Sequence, residues 1–123
     1  MYAMVESWLN TVLSEADFDG VKAVVFNLYE EYEDSWSMEC VGCAGFDPED
    51  EDWACDEVTD FGTRENRFIW SNAKDWEEAQ KQMTSSVTKY LKHGKYADAL
   101  TALKGIGIGF VDGDLELIRK EYS

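Results

Sequence analysis

Val21-Lys-Ala-Val-Val-Phe-Asn-Leu-Tyr-Glu-Glu-Tyr32 fits two templates at once. Val21, Val24, Val25, Leu28, Tyr29 and Tyr32 recur at the spacing of a helical face, whereas Val24, Phe26 and Leu28 alternate as residues of a strand do. The crowding of valine and aromatic side chains favours the strand. Residues 35–43, reached through the polar Glu33-Asp34 turn, supply its hairpin partner, with Trp36, Met38 and Cys40 on one face.

At the end of this hairpin, Gly42 and then Gly45 let the backbone bend before Phe46. Residues 47–52, which contain the only proline, read as a solvated acidic loop, residues 53–58 as a third strand, Phe61-Gly62 as a turn and residues 67–70 as a short fourth strand. A helix follows, capped by Asn72 or Asp75, with Glu77 and Glu78 at its positive end and Trp76, Ala79, Met83, Val87, Tyr90 and Leu91 as its buried stripe. Lys92, His93 and Gly94 close it, and a shorter helix over residues 96–103 turns Ala99, Leu100 and Leu103 inward.

The last feature is a hairpin, Ile106-Gly-Ile-Gly-Phe-Val111 and Asp114-Leu-Glu-Leu-Ile118 joined by Asp112-Gly113, a strong signal for a two-residue turn. That turn predicts Phe110 opposite Leu115 and Ile108 opposite Leu117, so that Ile106, Ile108, Phe110, Leu115 and Leu117 share a buried face while Gly107 and Gly109 leave room on the other. Upstream, Val5, Trp8, Leu9, Val12 and Leu13 form the stripe of an amphipathic helix over residues 2–16, ended by turn chemistry at residues 17–20. The order α-β-β-β-β-α-α-β-β predicts an α+β fold: a largely antiparallel sheet with helices packed on one side. At 123 residues, residues 1–123 form a single domain.

Charge is distributed unevenly along the chain. The formal net charge is −15, and residues 23–63 contain 13 of the 26 acids and no lysine or arginine. Tyr29, Tyr32, Trp36, Phe46 and Trp53 punctuate this run, which a disordered acidic tail would lack. A folded surface of this charge repels phosphate backbones and anionic membranes and attracts a basic protein. The expected partner-binding residues are therefore Tyr29, Glu31, Tyr32, Glu33, Asp34, Asp47, Glu49, Asp50, Glu51, Asp52, Trp53 and Asp56, with Trp53 equally suited to a core.

Chemistry-bearing motifs are weak. Cys40-Val-Gly-Cys43, Cys55 and His93 could in principle bind zinc, but cysteines three apart on a strand point to opposite faces. No helix pattern follows Cys43 as a thioredoxin-like pair requires, so buried thiols in a reducing compartment are expected. His93, beside Lys92 at a helix end, reads as a partner for terminal carbonyls. Residues 47–58 imitate a calcium loop, yet Asp52 stands where the loop needs glycine and Val58 where it needs a bidentate acid. No Walker motif or dinucleotide fingerprint occurs, and the carboxylates look solvated and unlike a raised-pKa pair, so neither a metal nor another cofactor, nor enzyme activity, is expected. No leader pattern or span of about 18 apolar residues is read, which predicts a cytoplasmic location without membrane contact.

A small acidic α+β chain with a tyrosine-rich hairpin, the segment Asp52-Trp53-Ala54-Cys55 and a closing Gly109-Phe-Val-Asp-Gly-Asp-Leu-Glu-Leu117 hairpin resembles the bacterial immunity proteins of polymorphic toxin and contact-dependent growth inhibition systems. The resemblance implies a monomer or weak dimer that binds and neutralises a basic toxin domain, often a nuclease, without contacting nucleic acid itself. Two alternatives are a phage-type acidic mimic of nucleic acid that inhibits a DNA-binding protein, and a generic acidic protein-interaction module.

Overall fold

The computed structural model describes residues 1–32 and 34–120, with Arg119 and Lys120 described by backbone alone. Strand β1 (Ala23–Glu30) and strand β2 (Trp36–Cys43) pair antiparallel in unbroken register from Ala23↔Cys43 to Glu30↔Trp36. Alternation then sorts their side chains between two faces. Val24, Phe26, Leu28, Trp36, Met38 and Cys40 enter the main core, and Ala23, Val25, Val41 and Cys43 enter a smaller core on the opposite face. The turn between the strands is tight enough to put Asp34 at φ 60°, in the left-handed region that aspartate tolerates.

Two three-residue strands, β3 (Glu57–Thr59) and β4 (Phe68–Trp70), lie antiparallel along the far edge of β2, one at each of its ends. On the near side β5 (Gly105–Phe110) runs parallel to β1, and β6 (Glu116–Lys120) completes a sheet of six strands antiparallel to β5. The sheet is thus mostly antiparallel, with one parallel pair at its centre. Because β4 and β5 point the same way, no hairpin can join them. Helices α2 (Trp76–His93) and α3 (Ala97–Thr101) return the chain across one face, where α1 (Tyr2–Ser14) packs beside them.

The helices follow the expected stripes with two exceptions. Val5, Trp8, Leu9, Val12 and Leu13 are buried on α1, and Ala79, Met83, Val87 and Tyr90 on α2. Asp75 caps α2, its carboxylate accepting from the Glu78 amide at 2.9 Å. Trp76, predicted as part of the buried stripe, is the first residue of α2 and is instead 56% exposed, touching the core only edge-on at Phe110. On α3 Ala97 takes the buried position predicted for Ala99. The three helices meet at Tyr90, whose hydroxyl donates to Asn10 Oδ1 at 2.7 Å and accepts from the Tyr96 amide at 3.2 Å.

Two sheet predictions are corrected. Residues 53–58 do not form one strand: Glu51–Cys55 is a 3-10 helix, started by Asp50 accepting from the Asp52 amide at 3.0 Å, and only Glu57–Thr59 pairs with β2. Capping wins here over β-propensity, and it drives Trp53 down onto the sheet. The final hairpin also departs from the two-residue turn. The Gly113 amide bonds to the Phe110 carbonyl at 2.9 Å, β6 starts only at Glu116, and a shift between Ile106 and Gly107 sets Gly107 opposite Leu117 and Ile108 opposite Glu116. Leu115 and Leu117 therefore pack against the smaller core, and only Ile106 and Ile108 of the predicted set are fully buried in the main one. Glycine explains the choice of face. Leu115 packs to within 3.0 Å of where a Cβ of Gly107 would stand, and at Gly105 the ring of Phe46 occupies the Cβ position itself.

Candidate functional site

On the sheet face away from the helices, the part not covered by Trp53 and Phe46 is occupied by a charged network centred on Glu39. Its carboxylate has no exposed surface. Oε1 accepts from Tyr29 Oη at 2.6 Å and Asn27 Nδ2 at 3.0 Å, and Oε2 accepts from Arg64 Nε at 3.2 Å with Arg67 Nη2 at 3.7 Å. Arg64 also forks onto Glu57, Nη1 to Oε2 at 2.7 Å. Arg67 lies over the Tyr29 ring, 4.3 Å from its centroid, and reaches Glu31 at 3.6 Å, which in turn accepts from Ser37 Oγ at 2.7 Å.

The titration of the pair at its centre follows from these contacts. Burial by itself would raise Glu39, but the hydrogen bonds from Tyr29 and Asn27 and the charge of Arg64 outweigh it and hold the carboxyl below its ordinary value. Burial and the bond to Glu39 push the Tyr29 phenol up to about 12, so it stays a donor at neutral pH. Both carboxylate oxygens of Glu39 have partners, and the side chain has no exposed surface. It joins β1 and β2 to the segment that follows β3. The sequence reading counts Glu39 among solvated acids; the clue it leaves is Arg64 and Arg67, the first bases after the basic-free run.

The thiols are as separated as strand alternation requires. Cys40 lies in the main core and Cys43 in the smaller one, while Cys55 is exposed. Burial raises both buried thiols, Cys43 to about 12, so neither supplies a thiolate. Among the described residues no group of histidine, cysteine and carboxylate side chains is arranged to hold a metal ion.

The expected partner-binding residues are divided between the two ends of β2, about 24 Å apart at the rise of an extended strand. Glu31, Tyr32 and Asp34 lie at the end where β1 turns into β2, and Tyr32 is 90% exposed. Glu33 lies outside the described residues. Asp47, Glu49, Asp50, Glu51, Asp52 and Asp56 lie at the other end, all exposed and without an ion-pair partner among the described residues. Two of the expected residues are less open than the acids around them. Trp53 is 6% exposed and packs edge-on to Phe46 with ring centroids 5.1 Å apart, so of its two expected roles it takes that of a core residue. Tyr29 is tied by its hydroxyl to Glu39 and keeps part of its surface open.

At the Tyr32 end the fold adds residues from outside the acidic run. Because β1 and β5 are parallel, their carboxyl ends emerge together, and the start of α2 lies beside them. They enclose an open cleft of about 970 Å³ lined by Tyr29, Glu30, Trp76, Phe110, Asp112 and Asp114 among others. Trp76 meets the Phe110 ring edge-on at 6.3 Å, and Phe110 meets the buried Trp36 at 5.7 Å, so a chain of rings runs from core to surface. Glu30, Asp112 and Asp114 are exposed and have no ion-pair partner among the described residues. Sequence reasoning missed this site, since residues 29–30, 76 and 110–114 are far apart in the chain. Comparison with family models, curated proteins and solved structures returns no match. No helix among the described residues is long and apolar enough to cross a membrane.

Proposed function

We propose that this protein is an immunity protein that neutralises a basic toxin domain by binding it as a protein partner, a nuclease being the natural class for a surface of this charge. The observation that carries the reading is the state of the acids. Glu31, Glu39 and Glu57 are matched to Arg64 and Arg67, whereas Glu30, Asp34, Asp47, Glu49, Asp50, Glu51, Asp52 and Asp56 are exposed without a cationic partner among the described residues. Such a surface raises the encounter rate with a cationic protein by roughly ten- to a thousand-fold at low salt and occupies a groove made for phosphates. A nucleic-acid mimic has less support, because it needs carboxylates in one extended line, and here the paired Glu39 network separates the two exposed groups.

The test is growth rescue. The product of a neighbouring gene, expressed alone, should arrest growth, and co-expression of this protein should restore it. Asp47, Glu49 and Glu51 changed together to lysine, or Tyr32→Ala with Asp34→Lys, should each weaken rescue, while charge reversal at Lys89 and Lys92 on α2 leaves it intact. Rescue that survives both acidic-end variants and is lost with the α2 variant places the partner elsewhere and refutes the reading.

A further inference from the structure

The cleft at the carboxyl ends of β1 and β5 combines two features that recognise the same chemical group. Its walls are aromatic: Trp76 stands 56% exposed, braced on Phe110 and left with a free face, and Tyr29 closes another side. Its rim is anionic: Glu30, Asp112 and Asp114 line it, with no lysine or arginine among the lining residues. An aromatic face attracts a cation, most strongly when the face is tryptophan, and carboxylates supply the matching charge and hydrogen-bond acceptors. Val111, 54% exposed on the same rim, offers apolar contact to the methylene stem that lysine and arginine carry. The positive end of α2 does not oppose this, since Asp75 caps it and Glu77 and Glu78 sit on its first turn.

We infer that this cleft seats a short segment of a partner protein that carries arginine or lysine, the cationic side chain lying against Trp76 with its charge met by Glu30, Asp112 and Asp114. The volume admits such a side chain together with its chain neighbours, which suits an extended segment better than an isolated ion. The inference rests on the reading of a basic protein partner and specifies where that partner's anchoring side chain goes. It moves the centre of recognition away from the loop at residues 47–52, where no exposed aromatic ring accompanies the acids.

The probe is an acetylated, amidated peptide of alternating glycine and arginine, titrated at low ionic strength into the full-length, isotope-labelled protein and followed by nuclear magnetic resonance. A peptide with glutamate in place of arginine serves as the control. Binding should move the indole signal of Trp76, and Trp76→Ala, or Asp112→Asn with Asp114→Asn, should weaken it about ten-fold or more. These side chains are exposed, and an unchanged far-ultraviolet spectrum and melting curve verify the fold of each variant. Glu49→Gln with Glu51→Gln should alter affinity by no more than about two-fold, as expected for distant surface charges. Equal affinity in the cleft variants, or an equal loss in the loop variant, overturns the cleft and leaves the wider reading standing. Absence of binding by the wild type also overturns it, and the growth-rescue assay decides the wider reading separately.

Discussion

Glu39 is buried without exposure in a chain that already carries a net charge of −15, and only its partners make that tolerable. Glu39→Gln retains an acceptor for Tyr29 and Asn27 but gives up the charge facing Arg64 and Arg67. Since Arg64 is 45% exposed and Arg67 31%, water takes over part of that role. The expected cost is about 1–3 kcal/mol by chemical denaturation. The pH dependence follows from the direction of the shift. A folded carboxyl held below its unfolded value stabilises above the unfolded pKa and loses that contribution as pH falls through the folded one. The gap in melting temperature between wild type and Glu39→Gln should therefore be full above about pH 5 and narrow toward pH 3. A gap constant across that range would show that the charge of Glu39 does not contribute.

Elements of this fold are held at a few close approaches. Strand β5 reaches the centre of the sheet with glycine at three alternate positions, and at Gly105 the Phe46 ring stands in the space of a Cβ. Gly105→Ala should cost about 1–3 kcal/mol through overpacking. Phe46→Ala should remove much of that penalty in the double variant, a coupling that a thermodynamic cycle measures directly. Helix packing has a comparable point at Tyr90, whose side chain bonds to both α1 and the turn before α3. Tyr90→Phe deletes the hydroxyl and leaves Asn10 and the Tyr96 amide to find other partners, at an expected cost of about 1–3 kcal/mol.

At the scale of the whole molecule, self-repulsion among exposed acids opposes folding and is screened by salt. The melting temperature of the isolated protein should rise with added sodium chloride, and Glu49→Gln with Glu51→Gln should leave it unchanged or slightly higher. Asp47 and Asp50 differ from these two, because each accepts a backbone amide bond, from Glu49 at 2.9 Å and from Asp52 at 3.0 Å. Replacing either with alanine should lower stability by about 1 kcal/mol despite the lost charge. A complex with a basic partner should show the opposite response to salt, its association rate falling clearly while dissociation changes less.

Local pattern determined the central hairpin, the stripes of α1 and α2, the Asp75 cap and the turn at Phe61-Gly62, where both residues take positive φ. Each of these rests on residues within a turn or two of one another, and alternation or helical spacing is a property of such short windows. The division of Cys40 and Cys43 between faces was legible for the same reason. What lay outside any window is the pairing of β1 with β5, whose residues are about eighty positions apart and whose parallel direction exists only because α2 and α3 carry the chain across the sheet. From that one pairing follow the cleft, the exposure of Trp76 and the arrival of Asp112 and Asp114 beside Glu30. The separation of the acidic run into two ends, and the burial of Glu39 beneath Arg64 and Arg67, are likewise tertiary. Composition counts charges, but whether a carboxylate meets solvent or an arginine depends on which strand comes to lie beside it.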